Sequence, residues 1–140
     1  MCNRPHTCFK TQEVTTNAAI VKLVDVAEIR ESRLRSIMLR RLGSATGISA
    51  TGATLAPDSV IATAHLVLVN SRNVQVMNPM PMQLLQRDYN FPEPYQLDPA
   101  VYAGIDLSRS YIILSTSAAG YSATNVIELV FEYECDVCKV

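Results

Sequence analysis

The sequence has little charge, no tryptophan, only two histidines and no long apolar run. Each shortage removes a class of function. Charged residues make up 18 % of 140 residues and the formal net charge is -1, so this is not a polycation built to coat nucleic acid. The low charge also suits a surface partly covered by neighbours. A sugar-binding module would have no Trp to offer. The longest apolar run, 60–69, carries Thr63 and His65. It falls far short of the roughly 18 residues a membrane-crossing helix takes. The polar start, MCNRPHTCFKTQ, lacks the apolar centre of a signal peptide and predicts synthesis in a cytosol.

Catalytic signatures are missing too. There is no Gly-rich phosphate loop, nucleophile elbow or zincin helix. His65 sits inside an apolar run and reads as a core or interface histidine rather than a base. His6, between Cys2 and Cys8, reads as a bystander before it reads as a ligand. Glu132 and Glu134 could pair for hydrolysis, but their spacing fits the solvated face of a strand better. The expectation is a protein that is not an enzyme and has no resident cofactor.

What is present argues for one domain. Hydrophobic residues at 49 % exclude a disordered chain, and 140 residues bury one core, so 1–140 reads as a single domain. From Val126 to Cys135 the residues alternate. Ile127, Leu129, Phe131, Tyr133 and Cys135 share one face; Glu128, Glu132 and Glu134 share the other. Period two with one greasy side is a strand with one buried face. Residues 109–116 read as another strand, joined to it by the small residues 117–124 as a long-looped hairpin. The run 60–69 reads as a strand buried on both faces, turning at Asn70 to Asn73 and returning from Val74. Residues 9–16 read as a first strand. Laid beside the last, it would bring the terminal cysteines together.

The segment 18–42 has acids early and arginines late, which suits a helix, but no apolar stripe to hold one down. It reads as two strands, 19–27 and 33–42, with a turn at Glu28 to Ser32. One helix within 18–42, making the fold α+β, is the alternative. Residues 43–59 are small and read as a loop. Residues 78–108 hold five of the seven prolines and read as a second long loop, whose apolar side chains argue that it is packed. The fold expected is all-β: an antiparallel β-sandwich, jelly-roll-like, with long loops at 43–59 and 78–108.

Four cysteines lie at the two ends. Cys2, Cys8, Cys135 and Cys138 could hold zinc as two half-sites, form disulfides, or stay free thiols. Arg30, Arg33, Arg35, Arg40 and Arg41 form the one basic cluster. It could neutralise phosphates or supply salt bridges to neighbouring subunits. Met80, Met82, Phe91, Tyr95 and Tyr102 are candidates for a subunit interface.

About eight short strands, two long loops and no catalytic set look like a single jelly-roll domain. The stretch LSRSYIILSTSAAGYSATNVIELVFEYECDV, within residues 106–137, resembles the closing two strands of viral jelly-roll capsid proteins. An apolar strand, a small-residue loop and an alternating acidic-aromatic strand carry the resemblance. It implies a virion component, made in the host cytoplasm, that assembles with copies of itself and other virion proteins. One departure is clear: the first seventeen residues hold only Arg4 and Lys10, which are too few for a basic genome-packaging arm. A soluble β-sandwich module that binds a carbohydrate or a protein is the competing expectation.

Overall fold

The computed structural model describes residues 5–40, 48–49, 51–87, 95–98, 101–115 and 121–136. Two antiparallel sheets face each other across one core. Strands β1 (Pro5–Thr15), β3 (Leu34–Arg40) and β10 (Asn125–Asp136) dominate the larger sheet. β10 lies between β1 and β3, and three two-residue strands extend the sheet. These are β4 (Thr54–Leu55), beside β10, and β7 (Gln86–Arg87) and β8 (Tyr95–Gln96), both beside β3. The second sheet runs in the order β2 (Ile20–Lys22), β9 (Tyr111–Ile113), β5 (His65–Val67), β6 (Met80–Pro81). Among the described residues helical backbone is limited to single turns, α1 (Ala27–Arg30), α2 (Asp58–Ile61) and a 3-10 turn at Met82–Leu85.

The alternation in β10 does what period two requires. Ile127, Leu129, Phe131 and Tyr133 all point into the core. Across the larger sheet Phe131 lies level with Ile37, and Leu129 with Leu39. Across the other, Val21, Ile112, Leu66 and Met80 form one row. Ile29 from α1, Ile61 from α2, and Met82 and Leu85 from the 3-10 turn fill the spaces between the sheets.

Residues 18–40 hold two strands, as the missing apolar stripe predicts, but the first is β2 alone, shorter than the expected 19–27, and the connection to β3 is correspondingly longer. This connection winds into α1, where Arg30 N–H donates to Val26 C=O at 3.1 Å. In β3 the pairing to β10 slips by one residue, so that Glu132 faces Ser36 and Tyr133 faces Leu34. Arg35 is the extra residue, and such a bulge re-aims a side chain. Leu34 and Ile37 can then both reach the core.

Two sequence expectations are corrected. Residues 60–69 are not one strand. Pro57 presets the backbone for α2, whose Ala62 N–H bonds to Asp58 C=O at 2.8 Å, and the strand begins only at His65. Burial on both faces does hold, since Leu66, Val67, Leu68 and Val69 are all buried. The second correction concerns residues 109–116 and 126–135, which do not form a hairpin. β9 pairs with β2 and β5, while β10 pairs with β1 and β3. The connection between them crosses from one sheet to the other.

The turn expected at Asn70 to Asn73 is present. Asn70 Oδ1 accepts the N–H groups of Arg72 and Val74, both at 3.0 Å, and Asn73 takes a positive φ of 62°, a conformation asparagine tolerates. The proline-rich stretch 78–108 is packed where it is described, with Met82, Leu85, Ile105 and Leu107 buried.

Candidate functional site

β1 and β10 pair without a break from Pro5↔Asp136 to Thr15↔Val126. Of the residues singled out from the sequence, this ribbon carries Cys8, Cys135, Glu132 and Glu134. On its core face Cys8 and Cys135 form a disulfide, with Cα atoms 5.8 Å apart. Each of these sulfurs is thereby bonded to the other rather than presented as a thiolate. Cys2 and Cys138 lie outside the described residues. Among the described residues no group of three or more His, Cys, Asp or Glu is placed to hold a metal ion.

The outer face of the ribbon is acidic. Glu13 and Glu128 lie directly opposite each other, with Glu132 and Glu134 further along. Like charges in register repel, and the surroundings offset this. Thr51 Oγ1 donates to Glu13 Oε2 at 2.5 Å. Hydrogen bonds from the Ser49 and Thr51 hydroxyls hold the Glu13 carboxyl below its usual range. Arg40 Nη1 lies 3.5 Å from Glu128 Oε1, and the Glu128 side chain has no exposed surface. Ser36 Oγ donates to Glu132 Oε2 at 2.7 Å, and Arg35 reaches Glu134 at 4.0 Å.

The arginine cluster is therefore spread along the chain's own carboxylates. Arg30 pairs with Asp25 at 3.5 Å, Arg35 with Glu134 and Arg40 with Glu128. Arg33 is exposed, and its backbone bridges to Ala103. Arg41 lies outside the described residues. The expected solvated strand face is half right: Glu132 and Glu134 are partly exposed, but Glu128 is buried. Alternation shows which side Glu128 faces, not what lies over that side.

The candidate interface residues separate. Met80 and Met82 pack into the chain's own core. Tyr102 is half-buried and its hydroxyl meets Met77 Sδ at 3.3 Å. Tyr95 belongs to β8, with its side chain outside the described residues, as is all of Phe91. His65 is partly buried, with Nδ1 3.2 Å from Thr63 C=O. The large apolar side chains that are exposed include Phe9, Ile20, Val24, Ile48 and Val74. The sequence pattern does not mark them as exposed, because a lone apolar residue reads as core until its neighbours are known.

At one end of the sandwich a cavity of about 430 Å³ opens among Thr16, Val60, Leu114, Ser115, Tyr121 and Ser122. Its described lining offers hydroxyls and apolar surface but no carboxylate or cation. No helix among the described residues is long and apolar enough to cross a membrane. No model of a known protein family, no curated protein and no solved structure matches the chain.

Proposed function

We propose that the chain is a non-enzymatic structural protein of a virus particle. It assembles through a jelly-roll-like sandwich, with copies of itself and other virion proteins, into a capsid or a capsid-associated shell. The observation that carries this is the nesting of the strand pairs. With β4 and β7, the two strands that pair parallel to their neighbours, set aside, eight strands remain. The first pairs with the last (β1·β10), the second with the next-to-last (β2·β9), the third with β8, and the fourth with the fifth (β5·β6). All four pairs are antiparallel. A long hairpin rolled up on itself produces this nesting, and rolling of that kind is how a jelly roll is built. The crossing from β9 to β10 between sheets, which replaces the expected hairpin, belongs to the same pattern.

Three further features support the reading. The exposed apolar residues Phe9, Ile20 and Val24 are surface that neighbours would cover. Arg30, Arg35 and Arg40, spent on internal carboxylates, leave little for a genome. Disulfides persist in oxidising surroundings, so Cys8–Cys135 suits a particle that leaves the cytoplasm where it was made.

The hydroxyl-lined cavity favours a second reading, a soluble β-sandwich module with a small ligand. Sedimentation velocity and electron microscopy of the purified protein separate the two. Regular particles or symmetric multimers are expected. A species that stays near 15.4 kDa at every concentration overturns the structural role.

A further inference from the structure

β1 is an edge of its sheet, and its ladder shows which backbone groups it has left over. Thr16 N–H donates to Asn125 C=O at 3.0 Å, one step beyond the Thr15↔Val126 pair. Antiparallel residues alternate between facing the partner strand and facing away. Even-numbered residues of β1 therefore direct N–H and C=O toward β10. Thr7, Phe9 and Thr11 direct theirs outward. Among the described residues nothing bonds to these outward groups. The open stretch ends at Gln12, whose side-chain amide is bonded to the N–H and C=O of Val24 at 3.0 and 2.5 Å.

Natural sheets protect such edges with prolines, bulges or inward charges. Residues 7–11 contain no proline, and their pairing to β10 runs without a bulge; Lys10 is their one charge, and it is exposed. Phe9, in the middle, is 61 % exposed.

We propose that the occupant of this edge is β1 of a second copy, running antiparallel about a two-fold axis at Phe9. The inference rests on the self-assembly reading and names one of its contacts. The strand is self-complementary in this register, as an isologous contact must be. Thr7 faces Thr11 of the other copy, and Phe9 faces Phe9. Each of these pairs exchanges two backbone hydrogen bonds, and Thr–Thr and aromatic pairs are favourable across strands. Lys10 falls opposite Cys8. Moving the axis to Lys10 sets Lys10 against itself. Moving it to Cys8 sets Thr11 against Pro5, which has no N–H to give. The result is one continuous sheet spanning both molecules.

Thr11→Pro tests the edge with least damage, since the lost N–H points away from the chain's own ladder. Phe9→Lys places like charges on the axis. Val74→Lys, at an exposed apolar residue on another strand connection, is the control. Sedimentation velocity over a concentration series is expected to show self-association in the parent protein, weakened about tenfold or more by either edge variant and unchanged by the control. Circular dichroism checks that each variant is folded. If Thr11→Pro fails to fold, Phe9→Lys carries the test. In a second readout, Phe9→Cys is expected to cross-link into a dimer under mild oxidation, because directly opposite residues bring Cα atoms to about 5.5 Å. Edge variants that associate like the parent overturn this inference and leave self-assembly standing. A parent that stops at a dimer overturns the shell, and it upholds the edge when Phe9→Lys or Thr11→Pro weakens that dimer and Val74→Lys does not. A parent that is monomeric throughout overturns both, including the case where the edge awaits a strand from a different protein.

Discussion

Cys8 and Cys135 are 127 positions apart in sequence, yet a disulfide joins them on the core face of one ribbon. They sit diagonally, since Cys8 faces Tyr133 and Cys135 faces His6. The bond ties the first strand of the sandwich to the last. Closing a loop of this length removes much of the freedom of the unfolded chain, worth about 4–5 kcal/mol in the chain-entropy account.

Replacing both cysteines, Cys8→Ser with Cys135→Ser, is expected to lower unfolding free energy by about 2–5 kcal/mol. Urea denaturation of the double variant against the parent measures it. A loss below about 0.5 kcal/mol would show that the ladder between β1 and β10 already constrains the ends without the bond.

Arg40 is the cation beside the buried carboxylate of Glu128. Removing one member of a buried pair costs about 3–5 kcal/mol. The Arg40 side chain is 43 % exposed, so water screens part of its charge and Arg40→Gln is expected to cost about 2 kcal/mol. Adding Glu128→Gln should restore part of that loss, because the buried charge that Arg40 compensated is gone. Chemical denaturation of the single and double variants gives the comparison, and a double variant less stable than Arg40→Gln contradicts it.

Two carboxyls make stability depend on acid. Hydrogen bonding from Ser108 and the nearby Arg109 hold Asp106 below its usual range, as the Ser49 and Thr51 hydroxyls do for Glu13. A depressed carboxyl binds its proton more weakly in the folded chain than in the unfolded one. Its contribution is present above the ordinary carboxylate value, about pH 4, and is lost as pH falls through the folded value. Unfolding midpoints should therefore drop on acidification below about pH 4, and drop less steeply in Asp106→Asn. Equal slopes for variant and parent would remove Asp106 from the account.

Ser110 is completely buried and serves two strand connections. Its hydroxyl accepts Val69 N–H at 3.0 Å and donates to Asp106 C=O at 2.9 Å. Ser110→Ala leaves the buried Val69 N–H unmet, while Asp106 C=O keeps the Arg109 N–H at 3.2 Å, and is expected to cost about 1–3 kcal/mol. Amide exchange at Val69 should accelerate in the variant. Unchanged exchange there would mean that the hydroxyl is dispensable.

The alternation from Val126 to Cys135, the turn at Asn70 to Asn73 and the division of 18–42 were all legible without coordinates. Each is a local matter of which residues face which way over a few positions, or of which side chain tolerates a turn. The class of fold follows from those patterns, and so does the greasy side of each main strand. Partner choice does not. A small-residue connection such as 117–124 looks the same whether the chain folds back within a sheet or crosses to the opposite one, so β9 and β10 could not be separated by pattern. Nor could alternation reveal that Glu128 is buried beside Arg40, that Met80 and Met82 face inward, or that no described residue bonds to the outer backbone groups of β1 from Thr7 to Thr11. Those outcomes depend on contacts between residues far apart in the chain, and only the assembled sandwich decides them.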